Sequence, residues 1–146
     1  MTLDFRRALR AGGWQYVIQD SDSLLHTAAL HAFAKRHNIV IVLGLHAYRS
    51  AHVLLSCQEL GIPYVTIFGG TDVNECVKDA AKREVMERVV IGAKSLVAFY
   101  DLLREAVLQV WVSDATSEHK TGFWRYHESS WFIVDKSDLR MRFITT

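Results

Sequence analysis

Proline is nearly absent from this chain: one residue in 146, Pro63. With no Pro-rich or Gly-rich stretch there is no linker to divide the chain into jointed modules. Cysteine is scarce too, only Cys57 and Cys76, and the pair is not in a CxxC arrangement. That excludes a disulfide scaffold and predicts buried thiols in a reducing compartment. Neither sign of charge dominates. Seventeen Lys and Arg stand against 16 Asp and Glu, a net of +1, so the concentrated basic face of a nucleic-acid binder is missing. No apolar run approaches the ~20 residues that cross a bilayer. The amino terminus, Met1 to Arg7, has no apolar core segment of a signal peptide. The expected location is therefore the cytoplasm.

Several kinds of chemistry are missing as well. His26 and His31 diverge on a helix, and His46 and His52 straddle a turn, so no metal constellation is expected. There is no nucleophile elbow, and Ser113-Asp114 near His119 is ordinary loop composition. No internal repeat or low-complexity segment is present.

What the chain does have is apolar content, half of its residues, enough for one ordinary domain with a real core. The apolar residues fall into alternating patterns. Thr2 to Gly12 reads as a short helix and Trp14–Gln19 as a strand. A helix capped at Ser21 or Asp22 runs to about His37, with Leu25, Ala29 and Phe33 as its stripe. The continuous run Ile39–Leu43 predicts a strand covered on both faces. A helix from Ser50 carries Val53, Leu54, Cys57 and Leu60, stopped by Gly61 and Pro63. Tyr64–Phe68 is the next strand, then a helix over Glu75–Lys94, a strand over Ser95–Phe99 and a helix from Asp101 to Trp111. Strands alternating with helices predict βαβ units and a parallel sheet, an α/β Rossmann-like domain over residues 1–112. Residues 113–146 break that rhythm and form a divergent tail. Trp131–Val134 and Met141–Ile144 are its two short strand candidates, and Trp124, Tyr126 and Trp131 are expected to pack on the domain surface or stack on a sugar.

The most informative run is Phe68-Gly69-Gly70-Thr71-Asp72-Val73-Asn74-Glu75. It joins a buried strand to an amphipathic helix, at the edge where open α/β sheets bind ligands. Its glycine pair lets backbone approach a ligand closely. The run is neither a Walker loop nor GxGxxG. Asp72 followed by Glu75 also resembles a capping box, which would make the same residues a plain helix start.

Taken in order, Leu45-His46-Ala47-Tyr48-Arg49-Ser50, Gly61-Ile62-Pro63 and Ile67 to Glu75 resemble the amino-terminal domain of group 1 glycosyltransferases. Met86-Glu87-Arg88-Val89 and Val97-Ala98-Phe99 extend the resemblance, which covers about Leu3 to Trp111. It implies half of a GT-B fold, in which two Rossmann-like domains face a cleft and a sugar passes from a nucleotide-sugar donor to an acceptor, usually without a metal. The amino-terminal domain of such enzymes mainly binds the acceptor. The chain departs from that pattern in lacking the first strand with its Gly-rich loop, and the donor domain with its Glu-x7-Glu motif. Gly69 stands where many relatives carry His. The expectation is a truncated or alternatively spliced acceptor-side half, inactive alone. The alternatives are a non-catalytic isoform that pairs with a protein partner through its exposed cleft face, and a splice product without function. No cofactor is expected of this chain, since the nucleotide sugar belongs to a full-length relative. The missing strand would lie between Trp14–Gln19 and Ile39–Leu43, which are then expected to pair directly, with Trp131–Val134 the only spare segment.

The resemblance makes His46, Arg49, Gly69, Gly70, Thr71 and Asp72 the candidate binding residues for a sugar or a phosphate-bearing acceptor. No catalytic residue is singled out. Arg49 offers a bidentate fork and His46 a donor or acceptor near neutral pH. Asp72 can accept from a sugar hydroxyl. His46 serves equally well as a structural histidine at a strand end, and Asp72 as a helix cap. The three residues His46, Arg49 and Asp72 are expected along one edge of the sheet.

Overall fold

The computed structural model describes residue 7 and residues 9–98, 101–111 and 132–135. Strands β1 (Val42–Leu45), β2 (Tyr64–Ile67), β3 (Ser95–Ala98) and β4 (Phe132–Asp135) form one sheet in the order β1-β2-β3-β4. The first three are parallel and β4 runs antiparallel to β3. Helices α1 (Thr27–His37), α2 (Ala51–Leu60), α3 (Thr71–Asn74), α4 (Ala80–Gly92) and α5 (Asp101–Trp111) connect or follow them. The chain is thus a Rossmann-like α/β unit.

Period-two alternation along the strands sorts side chains to two faces. Tyr64, Phe68, Leu96 and Ala98 join the main core with Leu30 of α1, Leu54 and Cys57 of α2, Met86 and Val89 of α4, and Val107 and Trp111 of α5. Ile67 and Val97 point the other way, with Leu43, Val65 and Leu9 packed around them. Gly44 is required by the first face. A Cβ there would lie 2.5 Å from a Leu54 methyl, a distance real side chains do not tolerate, so α2 can approach β1 this closely only over a glycine. At the end of α2, Gly61 adopts the left-handed C-cap conformation, and Pro63 follows it as the pattern requires.

Several expectations are corrected. Trp14–Gln19 is not a strand but irregular, mostly exposed chain. Its β-rich composition finds no partner among the described residues, and a strand is stable only within a ladder. Direct pairing with β1 therefore does not occur, and among the described residues β1 pairs with β2 alone. The spare tail strand is real, but it adds to the opposite edge of the sheet, beside β3. The Ile39–Leu43 strand is shifted to Val42–Leu45 and is not covered on both faces, with Val40, Ile41 and Leu45 exposed. The helix of residues 21–37 is split. A 3-10 turn at Ser21–Ser23 precedes α1, whose buried stripe is Leu30 and Ala34, while Leu25 faces solvent. The Glu75–Lys94 helix is likewise broken into α3, a 3-10 turn at Cys76–Lys78 and α4. The residue that starts α4 is Asp79, whose carboxylate accepts from Ala81 N at 3.0 Å and Lys82 N at 3.2 Å. That side chain offers the helix the acceptor its first turn lacks, so the helix begins there. The expected initial helix is present at residues 7 and 9–11. Met141–Ile144 and the aromatics Trp124, Tyr126 and Trp131 lie outside the described residues.

Candidate functional site

Parallel neighbours end on the same side of a sheet, so the segments leaving β1 and β2 are brought together. His46 follows β1 and donates its backbone N–H to Ile67 O, at the end of β2, over 2.8 Å. Phe68 follows β2, and its ring stacks on Trp111 of α5 at 5.4 Å between centroids. This anchors the Gly69–Gly70 turn against the helix layer.

The six candidate residues meet here, in two different roles. Asp72 is fully buried. One carboxylate oxygen accepts from Ala47 N at 2.9 Å, across the gap between the two loops. The carboxylate also accepts from Gly69 N at 3.1 Å, from Gly70 N at 2.9 Å and from Val73 N at 3.0 Å. Charge-assisted bonds to backbone N–H groups are about twice as strong as neutral ones, so Asp72 is the clasp of the site. It is not the expected capping-box residue. The position that precedes α3 is Gly70, at φ 101°, a conformation glycine adopts without strain. Glu75 makes no side-chain cap bond.

Outward from this clasp, Arg49, Gly69 and Thr71 are exposed and His46 is half-buried. The His46 ring bridges the loops. Its Nδ1 accepts from Arg49 N at 3.1 Å, and its Nε2 lies 2.8 Å from Thr71 Oγ1. Because Nδ1 must accept, Nε2 carries the proton and donates to Thr71. Burial holds the imidazole below its ordinary value of 6.5; the Asp72 charge opposes this and the Arg49 charge adds to it. His46 itself sits at φ 70°, rare for a non-glycine residue.

Two neighbours of the site escaped the sequence reading. Ser50 Oγ donates to His46 O at 2.8 Å. Lys82 of α4 lies over the Tyr48 ring, 5.3 Å from its centroid, so a second cation borders the loop that carries Arg49. No spacing rule relates Tyr48 to Lys82; only folding brings them together. Among the described residues, no three His, Cys, Asp or Glu side chains converge as a metal site.

A curated protein of Xenopus tropicalis, glycosyltransferase 1 domain-containing protein 1, is 30% identical to this chain over 103 residues. This stretch is homologous to part of that protein. It takes in 70% of this chain, which in turn spans only 29% of the length of that relative. No protein-family model matches. The homology and the parallel sheet agree on a glycosyltransferase-like, Rossmann-type unit, and the group 1 resemblance of the GGTDVNE run points to the same family. No described helix is long and apolar enough to cross a membrane.

Proposed function

We propose that this chain supplies the acceptor-binding side of a glycosyltransferase and does not transfer sugar by itself. The observation that carries the reading is the pair of loops at the carboxyl ends of β1 and β2, clasped by Asp72 and presenting Arg49, His46, Gly69 and Thr71 outward. An exposed arginine on one loop, with an exposed threonine and glycine on the other, suits a hydroxyl-rich or phosphate-bearing acceptor. Asp72 contributes by shaping this surface, since its own oxygens are occupied by backbone donors.

Transfer would need donor and acceptor held together at near-attack distance, which can lower a barrier by ~7–11 kcal/mol. It also needs donors aimed at the charge growing on the leaving diphosphate. The nucleotide-sugar donor is assigned to the remainder of a longer relative. The cytoplasm, where Cys57 and Cys76 remain free thiols, is the proposed location.

The test is to incubate the folded 146-residue chain with labelled nucleotide sugars and a panel of acceptors, with the longer Xenopus relative in parallel. No turnover is expected from this chain, with weak acceptor binding that Arg49→Ala and Thr71→Ala reduce. Turnover by the chain alone would overturn the reading.

A second reading, a non-catalytic module that pairs with another chain, is favoured by one observation. Val40, Ile41 and Leu45 are exposed around the outer edge of β1, which pairs with none of the described residues, next to the site. Exposed apolar groups beside an open strand edge suit a protein partner.

A further inference from the structure

The His46 ring bridges the two site loops through a group that changes charge near neutral pH. Its bond from Arg49 N requires an unprotonated Nδ1, and its bond to Thr71 requires a proton on Nε2. Only the neutral Nε2–H tautomer satisfies both. A second proton goes on Nδ1 and sets one donor against another, the Arg49 N–H. The ring then has to rotate, and rotation takes Nε2 away from Thr71. The backbone favours release too. A non-glycine residue at φ 70° is strained, and surrounding bonds hold it there: His46 N to Ile67 O, Ser50 N and Oγ to His46 O, and Ala47 N to Asp72.

We propose that His46 is a proton-operated latch between the two loops of the candidate site, closed when the imidazole is neutral and open when it is charged. This regulation rests on the acceptor-site reading for its biological meaning, but the latch itself is a property of the free protein. Two charged groups act on the ring, one from each loop. Arg49, on its own loop, opposes protonation; Asp72, from the loop after β2, favours it. Lys82, from α4, is engaged on Tyr48 in the same loop. Burial of the ring favours the neutral form, so the closed state prevails at neutral pH.

The experiment is a pH series of 15N-resolved NMR spectra of the full chain without ligand, recording the imidazole nitrogens of His46 and the backbone amides. The expected result at neutral pH is a proton on Nε2 and none on Nδ1. On acidification, the Arg49 and Thr71 amides should shift with the same midpoint as the His46 ring. Measured against the intrinsic, base-catalysed rate at each pH, the protection of the Arg49 amide from hydrogen exchange should drop roughly tenfold, as befits one lost hydrogen bond of ordinary strength. In Thr71→Val the ring should still titrate, while the amides of residues 69–72 no longer follow it. In His46→Gln the amide transition should vanish. A proton on Nδ1 at neutral pH would overturn the latch, as would a His46 titration that leaves the Arg49 and Thr71 amides unmoved, or a transition that survives in His46→Gln. Since no ligand is present, failure here leaves the acceptor reading standing, and failure to bind acceptor leaves the latch standing.

Discussion

Asp72 and Asp79 show how one residue type does different work according to what surrounds it. Both carboxylates accept from backbone N–H groups, but Asp79 does so in solvent and Asp72 in full burial. The same substitution should therefore separate them. Asp79→Asn is expected to be nearly neutral, since Asn caps a helix as well as Asp does. Asp72→Asn places an amide N–H₂ among four backbone donors, where an unmet buried group costs about 1–3 kcal/mol. Urea unfolding should show a lowered midpoint for Asp72→Asn and none of comparable size for Asp79→Asn. His46 predicts a pH dependence. Its folded value lies below the ordinary 6.5, so the unfolded chain binds more protons in the interval between the two. Stability from this group is fully present above 6.5 and is lost as pH falls through the folded value. A set of urea curves between neutral and mildly acidic pH should record that fall, and His46→Gln should flatten it.

At the scale of elements, α4 depends on its first turn. The residues before it, Cys76–Lys78, form a 3-10 turn and not a continuous helix, so α4 has no preceding turn to satisfy its first N–H groups. Asp79 accepts from two of them. Asp79→Ala is expected to cost about 1 kcal/mol, read as a lower thermal midpoint and as faster amide exchange at Ala81 and Lys82. The break itself explains why one long helix was expected. Val77, Ala81, Val85 and Val89 continue a helical stripe across it, but only Val89 of the four is buried, because the chain first has to close the GGTD turn and then climb onto the α2 surface. A stripe of apolar residues shows periodicity and does not reveal an interruption. The strand reading of Trp14–Gln19 failed for a related reason. Strand propensity belongs to a pleated surface with neighbours, and none of the described strands lies beside it.

For the molecule as a whole, the decisive feature is an open edge. β1 has a partner on one side only among the described residues, and Val40 stands beside it at 69% exposure. Unpaired, apolar edges promote association, and lysine blunts them. The double variant Val40→Lys/Ile41→Lys should stay monomeric to higher concentration than the parent chain in light scattering. Its far-ultraviolet circular dichroism should be unchanged, since both side chains are partly or largely in solvent. If association is the same in both, the edge is not the site of contact.

The sequence by itself determined the parallel βα rhythm from Val42 to Trp111, the Gly61–Pro63 stop of α2 and the place of the candidate site. Those features rest on local periodicity and on turn chemistry, which act over a few neighbouring residues. The rest was decided by the tertiary structure. Asp72 has two possible local uses, and its bond from Ala47 N on the neighbouring loop, added to those from Gly69, Gly70 and Val73, is set only by the fold. His46 gains a tautomer and its tie to Thr71 only when β1 and β2 lie side by side. The tail strand joins β3, at an edge that exists only once the sheet has formed. Contacts between residues far apart in the chain leave no local pattern from which they can be read.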